Sequence, residues 1–186
     1  MKSAIIDMDI DFEAYDRAKN TTQFYMVSNG MLSALDKSFI RHGFSHGGLS
    51  LHYYSMNASS HPNYFILLEH DENGLCNVND VIVALNWCAE NDIKLISLSM
   101  GTTHHYEAEK LWSVTEQLFQ HGIILVAAAS NERNLTCAAI ISKYTSVARL
   151  GSLRIFHDER LNANVDALIA SLNWCLCNKK TNMKVE

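Results

Sequence analysis

The sequence has 186 residues, of which 48% are apolar and 19% charged, a composition typical of one globular domain with a sizeable core. A net charge of −5 without a Lys/Arg cluster argues against nucleic acid and anionic membrane surfaces as partners. No apolar run approaches the ~20 residues of a membrane span, and the acidic opening MKSAIIDMDID is unlike a signal peptide.

The first predicted element is a short apolar strand, Ser3–Ile6, which Asp7 closes. Asp9 and Asp11 follow at a spacing of two residues. Two interpretations stay open. Either the strand runs out into solvent with acids at its end, or Asp7 is a functional carboxylate at the carboxyl end of a strand.

Residues 21–40 mix helix and loop signals, with a short apolar stripe that we expect in the core: Met31, Leu32 and Leu35. Residues 41–54 then contain two His-Gly pairs, at His42 and His46, and the second continues with another glycine and an apolar element. A glycine beside a histidine lets the backbone turn tightly and leaves the imidazole room at a cleft. Both histidines are therefore candidate site residues, although a lone His is more often structural or solvated.

The middle of the chain alternates strands and helices. Asn63–Glu69 is a continuous apolar run typical of a buried strand, and Asp71–Gly74 is a polar turn. Asn79–Gly101 predicts a helix followed directly by a buried strand, Ile93–Leu98. This is half of a βαβ unit, so we expect a mostly parallel sheet with helices on its faces. A functional site is expected at the carboxyl end of that strand, Ser99–Gly101.

A second helix and strand follow. Glu107–His121 is an amphipathic helix, and Ile123–Ala129 is another buried strand that ends in Ser130 and Asn131. If the two strands are adjacent and parallel, Ser130 and Asn131 lie beside Ser99–Gly101.

The histidines and cysteines form no recognisable metal pattern. The pair His104-His105 lacks a supporting carboxylate or Cys, and the cysteines lack zinc-like CxxC spacing. We expect the cysteines to be buried or free thiols in a reducing, cytoplasmic compartment: Cys76, Cys88, Cys137, Cys175 and Cys177. No metal or other cofactor is expected.

Taken in order, these motifs resemble those of subtilisin-like serine peptidases. The family strand that ends in Asp matches Ala4–Asp7 (AIID), and its His-Gly-Thr before a helix matches Ser45–Ser50 (SHGGLS) loosely. Its later strands, which end in Ser-Leu-Gly and Ala-Ala-Gly-Asn, match SLSMG and GIILVAAASN. The resemblance covers roughly residues 3–151 of one domain, 1–186, with 152–186 as a divergent helical tail. It implies a three-layer αβα fold around a mostly parallel sheet, shortened at its C-terminal end.

The resemblance also implies roles for single residues. Asp7 would orient the imidazole of His46, the general base and then general acid, with His42 as the competing candidate. Asn131 matches the Asn whose amide donates to the oxyanion. The remaining matches would pair with the backbone of an extended peptide or wall its first specificity pocket: Ser99, Met100, Gly101, Ala128, Ala129 and Ser130.

Several motifs depart from the family pattern. Met8-Asp9 stands where the family has Ser/Thr-Gly, Gly48 where it has Thr, and Ser130 where it has Gly. We expect these changes to loosen the site without removing its named groups.

The largest departure concerns the nucleophile. The family motif Gly-Thr-Ser-x-Ala does not occur in residues 132–186. Residues 164–175 (NVDALIASLNWC) instead echo residues 77–88 (NVNDVIVALNWC). The late serines do not fit the nucleophile's place: Ser142, Ser146, Ser152 and Ser171.

Three functions remain as hypotheses. The first is a degenerate peptidase homologue that binds an extended peptide and acts with an active paralogue or partner subunit. The second is a compact, active cytosolic serine endopeptidase that removes the leader of a ribosomally made precursor peptide. The third is a haloacid dehalogenase-like phosphatase, because Asp7–Asp11 (DMDID) has the spacing of a nucleophilic Asp followed by a general-acid Asp.

Overall fold

The computed structural model describes residues 2–58, 61–98, 100, 102 and 105–127. Within these ranges no helix is long and apolar enough to cross a membrane. The helices are α1 (Phe12–Ala18), α2 (His46–Ala58), α3 (Val78–Glu90) and α4 (His105–Gln120), with a short 3-10 helix at Lys37–Phe39. The strands are β1 (Ser3–Asp7), β2 (Gln23–Ser28), β3 (Met31–Ala34), β4 (Tyr64–Leu68), β5 (Leu95–Leu98) and β6 (Ile124–Ala127).

The strands form one sheet in the order β3-β2-β4-β1-β5-β6. Every neighbouring pair is parallel except the β2–β3 hairpin. In register, Ile6 of β1 lies opposite Ile66 of β4 and Leu98 of β5, and Leu98 lies opposite Ala127 of β6. The first strand of the chain is therefore central, and the parallel strands present their carboxyl ends at one edge.

Helices cover both faces of the sheet and make it three layers. Ile5, Phe65 and Leu67 pack with buried residues of α1 and α2 on one face. Ile6 and Ile66 pack with α3 and α4 on the other. Because both faces are covered, all five residues of β1 are buried, which explains its uninterrupted apolar run before Asp7. The predicted α/β fold with a mostly parallel sheet is confirmed.

α3 forms where the sequence predicted it. The side chain of Asn77 caps its first turn by accepting from Asn79 N, and the apolar residues at helical spacing are buried. Leu85 is fully buried, and burying a leucine side chain contributes roughly 1.5–3 kcal/mol. Asp92, with a φ of 59°, then turns the chain toward β5.

The prediction for residues 21–40 was wrong in one respect. Met31 was expected in the core but is 70% exposed, at the start of β3. The segment forms a hairpin around Asn29 and Gly30, whose φ angles of 51° and 78° suit the tight turns that join antiparallel strands. Strand alternation then turns Met31 outward, while Leu32 and Leu35 are half-buried against the core.

Candidate active site

Two elements meet at the carboxyl edge of the sheet and bring Asp7 and His46 together. Asp7 is the last residue of β1, and His46 is the first of α2. His46 Nδ1 lies 3.0 Å from Asp7 Oδ2. Asp7 Oδ1 accepts a hydrogen bond of 2.8 Å from the backbone N–H of Met8, which holds the carboxylate in place. The aspartate side chain is 5% exposed and the imidazole 25%.

This contact defines the chemistry available to the imidazole. A carboxylate at Nδ1 favours the tautomer that carries its proton on Nδ1, which makes Nε2 the basic nitrogen of the ring. It also stabilises the imidazolium that forms when Nε2 takes a proton. Asp7 is buried and its Oδ1 accepts from the backbone, so the carboxylate is held where Oδ2 meets the ring.

Asp9 and Asp11 hold the same helix terminus. Asp9 Oδ1 accepts from the backbone N–H of Gly47 at 2.9 Å, and its Oδ2 lies 3.0 Å from Nη1 of Arg41. Asp11 Oδ2 accepts from the Ser45 hydroxyl at 2.5 Å. The interpretation that these acids simply end a strand in solvent is therefore wrong. Alternate residues after β1 bind successive positions around the start of α2.

Ser45 completes this terminus. Its hydroxyl oxygen accepts from the backbone N–H of Gly48 at 2.9 Å, as an N-cap side chain does. Three carboxylates near the first turn of α2 also suit the partial positive charge of a helix N-terminus. The backbone of His46 is thereby fixed at the edge of the sheet.

Both glycines after His46 are required by close packing. A Cβ at Gly47 would overlap the carbonyl oxygen of Asp9 and lie 2.8 Å from Cζ of Phe65. A Cβ at Gly48 would overlap the carboxylate of Asp11 and the hydroxyl of Ser45. The expectation that Gly48 loosens the site is therefore wrong, because it allows α2 to approach the loop after β1.

His42, the competing candidate, lies elsewhere. Its ring packs against Phe12, with ring centroids 4.8 Å apart. Both residues line a cavity of about 600 Å³ between α1, the loop before α2 and the first turns of α2. The structure thus brings His46 to Asp7, and places His42 against α1.

Only one of the predicted substrate-binding residues is described. Met100 is half-buried, and its Sδ lies 3.9 Å from Sγ of Cys76. The other predicted site residues lie outside the described ranges: Ser99, Gly101, Ala128, Ala129, Ser130 and Asn131. The same is true of residues 132–186, with the late serines and the helical tail.

The described residues hold no group of three or more His, Cys, Asp or Glu side chains arranged to bind a metal ion. α4 begins at His105, and His104 is not among these residues. Cys76 and Cys88 are free thiols. Burial raises the pKa of the Cys88 thiol to about 12, so this cysteine packs as an apolar residue.

The sequence did not predict the residues that hold Asp7 and His46 in position. Arg41 belongs to no motif, and Ser45 only begins the segment matched to His-Gly-Thr. The roles of both depend on a loop that pairs with the chain after β1, where Asp11 and Arg41 form an isolated bridge. The spacing of the three aspartates was the available signal, because alternate residues of an extended chain point to one side.

Comparison with known proteins gives the fold. No family model matches the chain. The minor extracellular protease Epr of Bacillus subtilis (strain 168) is 24% identical over 82 residues, which are 44% of this chain and 12% of that protein. A lanthipeptide protease aligns with a TM-score of 0.50 and 16% identity over 70% of this chain and 39% of its own. An S41 psychrophilic protease aligns with a TM-score of 0.50 and 15% identity over 70% and 45%.

The chain thus spans less than half the length of each of these proteins. At such identities the likeness concerns the fold alone, and the chain has an α/β fold like that of these proteases.

Proposed function

We propose that this chain is a subtilisin-like peptidase homologue that binds an extended peptide across the carboxyl edge of its sheet. The observation that carries the proposal is the contact between His46 Nδ1 and Asp7 Oδ2, 3.0 Å long and formed across 39 residues of sequence. A buried carboxylate that orients an imidazole at a strand end suits a general base for acyl transfer. The proteases of similar fold make a peptide the expected ligand.

In this proposal each group has a defined task. His46 takes the proton of an attacking hydroxyl at Nε2 and returns it to the leaving amine, while Asp7 stabilises the transient imidazolium. Ser99–Gly101 pairs with the backbone of the peptide, Ala127–Ala129 walls its first pocket, and Asn131 donates to the oxyanion. These last roles rest on the motif resemblance.

Cleavage needs a nucleophile that the known motifs do not identify in residues 132–186. We therefore propose that residues 1–186 hold the peptide without cutting it alone, and that a paralogue or partner subunit supplies the attacking group. Binding by strand addition survives the loss of a nucleophile because it needs backbone groups and pockets only.

A compact active peptidase that removes leader segments is the second candidate. The fold it shares with a lanthipeptide protease favours a ribosomally made precursor as its substrate class. In that case the nucleophile lies outside the usual motif or is supplied by a partner.

The phosphatase hypothesis gains no such support. It requires Asp9 as a free general acid, whereas both Asp9 oxygens are engaged by Gly47 N and Arg41. Magnesium-dependent hydrolysis of p-nitrophenyl phosphate that is lost in Asp7→Asn would revive it.

Two measurements test the proposal. Fluorescein-labelled pools of random eight-residue peptides should bind the protein in fluorescence anisotropy, and pools of the same composition with N-methylated backbones should not, because they cannot pair with a strand. A fluorophosphonate probe should leave the protein unlabelled. Labelling of the pure protein would select the active peptidase, and labelling is then expected to fall by about 10⁴-fold in Asp7→Asn, with the exposed Asp16→Asn as control. Equal binding of both pools, or of neither, would overturn the peptide-binding function.

A further inference from the structure

Glu69 continues β4 past its last residue. Its backbone N–H donates to the carbonyl of Val27 at 3.0 Å, which extends the β2–β4 ladder beyond Leu68. Glu69 therefore stands at the carboxyl edge of the sheet, the edge at which β1 ends in Asp7.

Strand alternation puts Glu69 on the same face as the Asp7–His46 pair. Phe65 and Leu67 of β4 pack on the face covered by α1 and α2, and Glu69 is the next residue of that series. Asp7 lies opposite Leu67 in the parallel register. With strands ~4.8 Å apart and a rise of ~3.3 Å per residue, Glu69 lies diagonally about 8 Å from Asp7, measured between Cα atoms.

The Glu69 carboxylate is held and its charge is not neutralised by a neighbour. The Ser28 hydroxyl donates to Oε2, and Asn29 Nδ2 in turn donates to Ser28 Oγ at 3.0 Å. The side chain is half-buried. The ion pairs among the described residues involve other acids, and no Lys or Arg of this part of the chain pairs with Glu69.

The sequence around β4 carries no Lys or Arg. Residues 42–93 contain six Asp or Glu and no Lys or Arg. Three of these acids, Glu69, Asp71 and Glu72, follow β4 directly at the carboxyl edge. Charge of one sign along a binding edge raises the local concentration of ligands of the opposite sign.

We propose that Glu69 recognises a Lys or Arg side chain of the peptide bound beside the Asp7–His46 pair. The inference rests on the proposed peptide-binding function and names its substrate class, a peptide with a basic residue next to the position that meets His46. Ser28 belongs to β2, on the side of β4 away from β1, so the Glu69 carboxylate is turned away from Asp7 and the ligand needs the long stem of a Lys or Arg to reach it. A carboxylate already held by Ser28 has little rotamer freedom left to lose. Charge-assisted hydrogen bonds to a guanidinium or ammonium are the strong class of such contacts.

The test compares two pools of uncharged random eight-residue peptides that differ at one central position, Arg or norleucine. We expect the wild-type protein to bind the Arg pool about 10-fold more tightly in fluorescence anisotropy, a difference of about 1.4 kcal/mol. Glu69→Gln should remove this preference. Glu116→Gln, which deletes an exposed charge on α4, away from this edge, should retain it.

The outcomes separate this inference from the function on which it rests. Equal binding of the two pools by the wild type, or the same preference in Glu69→Gln, would overturn the role of Glu69 and leave peptide binding intact. Binding of neither pool would overturn both. If Glu69→Gln does not fold, the wild type alone decides: the preference for Arg should shrink several-fold between 50 and 500 mM NaCl, and a salt-independent preference would contradict the proposal.

Discussion

α2 and α3 have the same length, and the fold holds them in place by different means. α3 buries an apolar face that includes Val81, Leu85 and Cys88. α2 has little separation of apolar and polar faces, and its start is fixed by polar contacts to three aspartates, Asp7, Asp9 and Asp11. Apolar packing tolerates small shifts, whereas hydrogen bonds fix distances and directions. Hydrogen bonds therefore position α2, the helix that carries the candidate base His46.

The largest effect is expected from the apolar helix. Leu85→Ala removes a fully buried side chain, and we expect the free energy of unfolding to fall by about 3 kcal/mol in urea titration. Leu75→Ala, at a leucine that is 68% exposed, is the matched control and should change it by less than about 0.5 kcal/mol. In the folded fraction of Leu85→Ala, the downfield proton resonance of His46 Nδ1–H should persist. Its disappearance would show that the two helices are not independent.

The next effect separates packing from helix propensity at Gly47. Propensity alone predicts that Gly47→Ala stabilises α2, by up to about 1 kcal/mol. The overlap of the new Cβ with the Asp9 carbonyl and Phe65 predicts destabilisation by about 2 kcal/mol, together with loss of the His46 Nδ1–H resonance. A stabilised variant that keeps the resonance would contradict the close approach of α2 to the loop after β1.

A smaller loss is expected at Asp11. Asp11→Ala removes the acceptor of both Ala14 N and the Ser45 hydroxyl, and should cost about 1 kcal/mol in the same titration. Asp36→Ala removes an exposed capping carboxylate from the 3-10 helix and should cost less than about 0.5 kcal/mol. If both variants lost the same free energy of unfolding, the contact between Asp11 and Ser45 would contribute no stability beyond that of a helix cap.

The smallest effect is a difference in thiol reactivity without loss of stability. Since burial raises the pKa of Cys88 to about 12, only about 1 in 10⁴ of its thiols is ionised at pH 8. Iodoacetamide should therefore modify half-buried Cys76 well before Cys88, as measured by peptide mass spectrometry. Leu85→Ala should accelerate modification of Cys88. Rapid modification of Cys88 in the wild type would contradict its burial.

The sequence was sufficient for the parts of the fold that apolar periodicity controls. The parallel strands and α3 could be predicted because each carries a continuous or helical apolar pattern. The β2–β3 hairpin could not, since its strands are half-exposed and its turn residues, Asn29 and Gly30, lie inside a mixed segment. Met31 is exposed because of its place at the start of β3 in this hairpin.

For the candidate site, the sequence predicted the Asp7–His46 pair only with the help of a family resemblance. Residue types alone left Asp7 between a strand end and a functional carboxylate, and left His42 and His46 as rivals. Contacts between distant segments decide the choice: Arg41 binds Asp9, and Ser45 binds Asp11. No local pattern encodes such contacts.

The central position of β1 has a consequence for synthesis. β1 is synthesised before the other strands of the sheet, yet its two neighbours are β4 and β5, and β5 ends at Leu98. About 90 residues must be added after Asp7 before both sides of its strand can pair, which takes roughly 5–18 s at ~5–20 residues per second. During that interval the nascent chain exposes an apolar strand that chaperones can bind. The Asp7–His46 pair is therefore assembled late, after the segments around it have left the ribosome.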